Sequence, residues 1–257
     1  MFMGLFRLVK RLLRVRVKEN FEYRIEWLFM ILMALTTCVS APVFWYLFTG
    51  GGEFNGWSFV QLTILSVVGS LSTNLTYIIG LDPWIRTYFK EKLAVYMTKP
   101  VNPLFYMTLR YGDVTPISSV IIYILFLIFI QHTFNVEVNP LAFLIFLMFS
   151  VMIHMILFFF ILIVAINWYD TAESFDNLIY NLLYLSKNPL DKIKRGLLSI
   201  ILIPFMFVAV YPSKAFTGDL PVDWVWVGEV FLTLSFVLLL EYKLWERGLK
   251  RYESFGG

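Results

Sequence analysis

Runs of about twenty mostly apolar residues recur along this chain, the length a helix needs to cross a hydrocarbon layer about 30 Å thick. They lie near 27–48, 58–81, 114–132, 140–166, 197–216 and 222–242. An all-α integral membrane protein with six transmembrane helices follows, because helices satisfy their own backbone groups in lipid. Hydrophobic residues make up 59% and charged ones 15%, against about 45–50% and about 25% in soluble domains. A soluble fold of 257 residues has too little interior for so much apolar surface. The fourth run is long enough to tilt or to project from the bilayer. Pro204 and Pro212 interrupt the fifth, which membrane helices tolerate where a neighbour satisfies the freed carbonyl.

The cations divide the connections into two sets. Twenty of the 21 Lys and Arg fall in residues 1–24, 81–113, 167–196 and 241–257. Only Lys214 falls on the other side, where Glu53, Glu137, Asp219 and Asp223 lie. Positive charge marks the cytoplasmic face, so both termini are expected inside. Cys38 is the single cysteine, which excludes an intrachain disulfide. Leu35-Thr36-Thr37-Cys38 only faintly resembles a lipoprotein-processing box, because the apolar run continues past it. About 26 polar-mixed residues precede that run, so the first span is expected to be retained.

Two charged segments have helical periodicity. In residues 1–24, Leu5, Leu8, Val9, Leu12 and Val15 form a stripe, and Arg7, Lys10, Arg11, Arg14 and Lys18 form a basic face. The spacing predicts an amphipathic helix in the headgroup region. Between spans two and three, Asp82-Pro83 starts a helix by side-chain capping and a first-turn proline. Ile85, Tyr88, Phe89, Lys92, Leu93 and Tyr96 follow its period, and Pro100 stops it, so residues 82–98 are expected as a second amphipathic helix. Asn-Pro-Leu recurs at 102–104, 139–141 and 188–190, read as shared capping of helix starts. Asp170 and Glu173 have capping-box spacing before another periodic stretch. That stretch reads as an extension of span four or as a partner contact.

Enzymatic chemistry finds no support. There is no G-x-x-x-x-G-K-[ST] phosphate loop, no H-E-x-x-H and no G-x-S-x-G, and His132 and His154 are the only histidines. No catalytic, cofactor-binding or metal residue is expected. Polar residues within spans are candidate functional positions. They are His154, Glu229 and the group Ser70, Ser72, Thr73, Asn74 and Thr76 in span two. For Thr73, Asn74, Thr76 and His154, helix packing and a translocation path both stand as readings.

Several stretches together resemble a known family. They are Glu22-Tyr23-Arg24, Gly56-Trp57-Ser58, "LAVYMTKPVNPLF", "IPFMFVAVYPSKAFTG" and "LWERGLKRYESFGG". In this order among six spans, the chain resembles the type-2 permeases of ATP-binding-cassette (ABC) exporters. The likeness is to prokaryotic permeases encoded as a pair beside one ATPase, and it covers essentially all of residues 1–257 as one permease domain. Where that family often has Gly-Glu-Leu-Asp, this chain has Glu91-Lys92-Leu93-Ala94.

The resemblance implies that residues 82–98 are a coupling helix docked in a groove of the ATPase. Trp84, Ile85, Tyr88 and Phe89 would enter the groove, with Arg86, Lys90 and Lys92 at its rim. ATP and magnesium would bind the partner ATPase and not this chain. Expected partners are ATPase subunits, a second permease (a different one sooner than a copy) and membrane lipids, with no nucleic acid. Expected location is the prokaryotic inner membrane, and expected cargo is hydrophobic or amphiphilic. A membrane scaffold without a path, or an ion-coupled secondary transporter, remain as alternative readings of the residues alone.

Overall fold

The computed structural model describes residues 24–79, 113–167, 172–189, 204–220 and 223–251, single positions between 10 and 22, and 102, 103 and 106. Among the described residues five helices are long and apolar enough to cross a membrane. They are α1 (Arg24–Thr49), α2 (Phe59–Ile79), α3 (Pro116–Phe134), α4 (Pro140–Asn167) and α7 (Trp224–Arg251). Each coincides closely with an apolar run in the sequence. Two shorter helices, α5 (Ala172–Leu185) and α6 (Val210–Phe216), separate α4 from α7. The fifth expected span is described only from Pro204, and its helix there is α6. The described positions from Lys10 to Glu22 are helical; Val15 is exposed there, as are Lys10 and Arg11. The expected coupling helix, with Trp84, Ile85, Arg86, Tyr88, Phe89, Lys90 and Lys92, lies outside the described residues.

Helix starts follow local chemistry. Asn139 Oδ1 accepts from the Ala142 N–H at 3.0 Å, and Pro140 occupies the first turn of α4. Asp113 accepts from the Thr115 N–H at 2.8 Å just before Pro116, and Asp223 accepts from the Val225 N–H at 3.0 Å at the start of α7. The Asn102 carbonyl accepts from the Tyr106 N–H at 3.0 Å, so a helical turn begins there too. Asn188 Nδ2 donates at 3.2 Å to the Leu185 carbonyl, closing α5 at its C-terminal end. From Leu190 on, the helix expected to begin at 188–190 lies outside the described residues.

One end of the bundle is stitched by short-range and long-range contacts. Strands β1 (Glu53–Phe54) and β2 (Trp57–Ser58) form a hairpin with Glu53 opposite Ser58. Asn55 and Gly56 make its turn at φ of 53° and 74°, the left-handed geometry for which Asn-Gly is favoured. At the same end Gln61 Nε2 donates to Asp219 at 2.7 Å, and the Lys214 ammonium lies 5.3 Å from the Trp57 ring centroid. Glu53, Glu137, Lys214, Asp219 and Asp223, grouped together by the charge pattern, thus share one end. The other end gathers Ile79, Asp113, Asn167 and the last turns of α7. The Asp113 N–H meets the Tyr77 carbonyl at 3.4 Å, and Asn102 Nδ2 reaches the Tyr242 hydroxyl at 3.0 Å.

Helix α2 is the central strut, in contact with α1, α3, α4 and α6. Its sequence suits that place. Thr63, Ser70, Ser72 and Thr76 are buried, and small or polar side chains let helices approach closely. The hydroxyls of Thr63, Ser66, Ser70, Thr73 and Thr76 bond to carbonyls four residues back, so their burial leaves no orphan donor. One apolar cluster joins Ala34 and Cys38 of α1, Ile64 and Leu71 of α2, and Tyr123 and Leu127 of α3. The other gathers Phe146, Phe149, Phe207, Val208 and Val227 around α4. Ile25, Phe29, Met33 and Leu47 of α1, and Val225, Leu232 and Phe236 of α7, are exposed. Such faces are suited to lipid.

Candidate functional site

The polar centre of the bundle has two parts, one sealed and one open. The sealed part begins just before α6. The Val208 carbonyl precedes the Ala209 cap of that helix, outside its hydrogen-bond ladder, and Ser150 of α4 donates Oγ to it at 2.6 Å. The Ser72 hydroxyl of α2 bonds to Ser150 Oγ in turn. His154, one turn along α4, places Nδ1 2.9 Å from the Ser150 carbonyl and 3.3 Å from Ser72 Oγ. A carbonyl can only accept, so Nδ1 carries the proton. Nε2 is then an acceptor, fully buried and without a partner among the described residues. Ser72, Ser150 and His154 are all wholly inaccessible. This network ties α2, α4 and the segment before α6.

The open part adjoins it, where Ser66 and Ser70 of α2 face α1. Gly69 and Ser70 are midway along this 21-residue helix, about 15 Å from either end at the usual rise of about 1.5 Å per residue. The Lys187 stem crosses the helix at Gly69. A Cβ on Gly69 would come within 2.9 Å of Lys187 Cγ and 3.2 Å of Ala209 Cβ, so glycine is what admits both chains. Lys187 Nζ reaches Ser70 Oγ at 3.3 Å and lies 5.8 Å from the Tyr184 ring centroid. A cavity of ≈ 500 Å³ opens beside it. Ser66 and Ser70 of α2 line one wall, Ala41, Phe44 and Trp45 of α1 another, and Lys187 closes one side. Trp45 Nε1 donates to Ser66 Oγ at 2.9 Å, which fixes the junction of the two helices.

Lys187 is the residue that sequence reasoning placed elsewhere. Its segment, 167–196, was expected as a basic cytoplasmic connection. In the structure α5 runs back along α4, buries Leu183 and Ser186, and carries Lys187 to the middle of α2. The physical reason is the one-sided apolar stripe of α5, which finds a partner in the bundle and not in water. A lone cation at mid-bilayer depth costs about 2.5–3.5 kcal/mol on insertion scales, so its position calls for compensation. Ser150 was also missed. Its signal was present: serine and histidine four apart in an otherwise apolar helix. Glu241 of α7 is a further buried carboxyl, with Oε2 unpartnered among the described residues.

The candidate path residues divide between these parts. Thr73 faces α5, lining a crevice with Tyr77, Tyr180 and Leu183. Asn74 Nδ2 donates to the Ser70 carbonyl at 2.8 Å, and buried Thr76 bonds to the Ser72 carbonyl at 3.0 Å. His154 belongs to the sealed network. Glu229 lies on α7, its carbonyl accepting from Thr233 Oγ1 at 2.8 Å. Among the described residues no group of three His, Cys, Asp or Glu could hold a metal ion.

The family profile described as ABC-2 family transporter protein matches residues 29–256. The chain belongs to the ABC-2 transporter family. It is a multi-pass membrane protein and a membrane subunit of an ABC transporter, whose members usually work with ATPase subunits. Membership explains why no phosphate loop was found: an ABC-2 membrane subunit is not itself the catalyst. No curated protein and no solved structure matches the chain.

Proposed function

We propose that the chain is the permease subunit of an ATP-driven exporter, moving a hydrophobic or amphiphilic cargo by alternating access. The observation that carries this reading is the family match across residues 29–256 in a chain without a phosphate loop. Two permeases, of different sequence, face each other across the path, and two ATPase chains with ATP and magnesium bind beneath. Both termini are cytoplasmic, in a prokaryotic inner membrane. Residues 1–24 lie along the headgroups and residues 82–98 dock into the ATPase. Closure of the ATPases moves this helix, which moves α2 and α3 on either side of it.

A sixth crossing completes the permease. Asn167 ends α4 at one end of the bundle, while Asp219 bonds to Gln61 at the other. A chain that changes sides between them accounts for both positions. The residues just after α5 and just before α6, Lys187 and Ala209, both approach Gly69, which supports a crossing built in pieces.

Reconstitution with the cognate ATPase tests the reading. Tyr88→Ala and Arg86→Glu are expected to weaken co-purification and to uncouple ATP hydrolysis from transport. Retention of both by both variants would overturn the docking role of residues 82–98.

A further inference from the structure

We propose that the cavity beside Lys187 binds an amphiphile with an anionic head, a phosphate or carboxylate on an apolar tail. The permease reading supplies only its role as cargo; binding itself requires this chain alone.

Shape and chemistry both point this way. At ≈ 500 Å³ the cavity is of the size that takes small ligands. Its lining combines the Lys187 ammonium and hydroxyls of both α2 (Ser66, Ser70) and α1 (Thr37, Ser40) with the apolar Ala41 and Phe44. An ammonium has three N–H donors. Among the described residues, that of Lys187 has one hydroxyl partner, at a long 3.3 Å, and a ring face 5.8 Å away. No acidic side chain among them lines the cavity. An ammonium at the depth of the α2 midpoint thus has no counterion among the described residues, and an unpaired charge there is costly. An anionic head would supply the missing acceptor and the missing charge together. A cationic head would add repulsion, and a neutral one would leave the ammonium uncompensated.

The mouth of the cavity selects the source. Phe44, Ser40 and Tyr184 at its edge are exposed on the flank of the bundle, not at either end. An amphiphile dissolved in the bilayer arrives from that direction with its tail already in hydrocarbon. A free anion would arrive from water.

The test uses the full chain in phosphatidylcholine nanodiscs, titrated calorimetrically with decyl phosphate, decyltrimethylammonium and decyl maltoside. Decyl phosphate is expected to bind at least tenfold tighter than either of the others. Lys187→Gln should abolish the preference and Lys187→Arg should keep it. Ser40→Trp, which blocks the mouth without touching the charge, should weaken decyl phosphate binding at least fivefold. If Lys187→Gln does not fold, the wild-type preference and Ser40→Trp still decide. Equal binding of the three heads, an undiminished preference in Lys187→Gln, or unchanged affinity in Ser40→Trp would overturn the site. Displacement of decyl phosphate by an equal concentration of inorganic phosphate would overturn the amphiphile. None of these titrations includes the ATPase. Their failure leaves the coupling role of residues 86 and 88 standing, and failure of that role leaves the binding result standing.

Discussion

The Ser150 hydroxyl donates to the Val208 carbonyl at 2.6 Å, across 58 positions of sequence, and satisfies a buried acceptor that lies ahead of the first turn of α6. The bond holds the start of α6 against α4, and Ser72 extends it to α2.

That relationship predicts a cost for removing the hydroxyl. Interhelical bonds in membranes average about 0.6 kcal/mol, with a maximum near 1.7. Ser150→Ala should lower stability by about 1 kcal/mol, within that range. The Ser72 hydroxyl bonds to Ser150 Oγ, so in a Ser72→Ala background Ser150→Ala should cost less. A double-mutant cycle of detergent unfolding measures the coupling, and strict additivity would refute the shared network.

The close approach at Gly69 predicts that alanine there destabilises, although alanine is the better helix former by about 1 kcal/mol. Its Cβ would stand 2.9 Å from Lys187 Cγ and 3.2 Å from Ala209 Cβ. Overpacking of this kind costs about 1–3 kcal/mol. Shortening the neighbour should relieve it, so Gly69→Ala is expected to be less harmful in a Lys187→Ala background. Thermal unfolding of the four proteins checks the sign.

The turn at Asn55-Gly56 predicts a smaller, local effect. Gly56 sits at φ of 74°, where a side chain costs about 1–2 kcal/mol. Gly56→Ala should lower stability by about that amount. Ligand affinity at the Lys187 cavity should not change. A parallel loss of affinity would show that the hairpin reaches the site.

His154 tests the two readings of the in-span polar residues. If it pins helices, His154→Asn, which keeps a donor for the Ser150 carbonyl, should preserve both stability and transport. His154→Ala should lose about 2–4 kcal/mol from the space it leaves, by analogy with large-to-small core changes. Loss of transport in a stable His154→Asn protein would assign the histidine to the path.

Sidedness offers the last prediction. In a Cys38→Ala background, Glu53→Cys and Asp219→Cys should react with an impermeant maleimide from the same side of the membrane. Lys250→Cys should react from the opposite side. Labelling of Asp219→Cys together with Lys250→Cys would remove the sixth crossing.

Much of the architecture was legible beforehand. Five apolar runs became α1, α2, α3, α4 and α7 because lipid demands length and hydropathy, both of which are local properties. The cap at Asn139 and the grouping of Glu53, Glu137 and Asp219 were readable for the same reason. Asn-Gly at 55–56 was an available turn signal that went unread. The site was harder. Thr73, Asn74, Thr76 and His154 were singled out as polar residues in apolar surroundings. Sequence could not say that His154 faces Ser72 across a sealed contact while Thr73 faces α5. Lys187 illustrates the limit best: a cation near an Asn-Pro pair has the composition of a surface loop.

The chain's own pattern determined the solvent, the span lengths and the division of charge between the two ends. Those follow from the cost of putting backbone and charge into hydrocarbon, paid residue by residue. Only the tertiary structure decided that Lys187 lies against Gly69 and that Ser150 completes Val208. Such pairings depend on which helix faces come together, and that choice is made by the packing of distant segments.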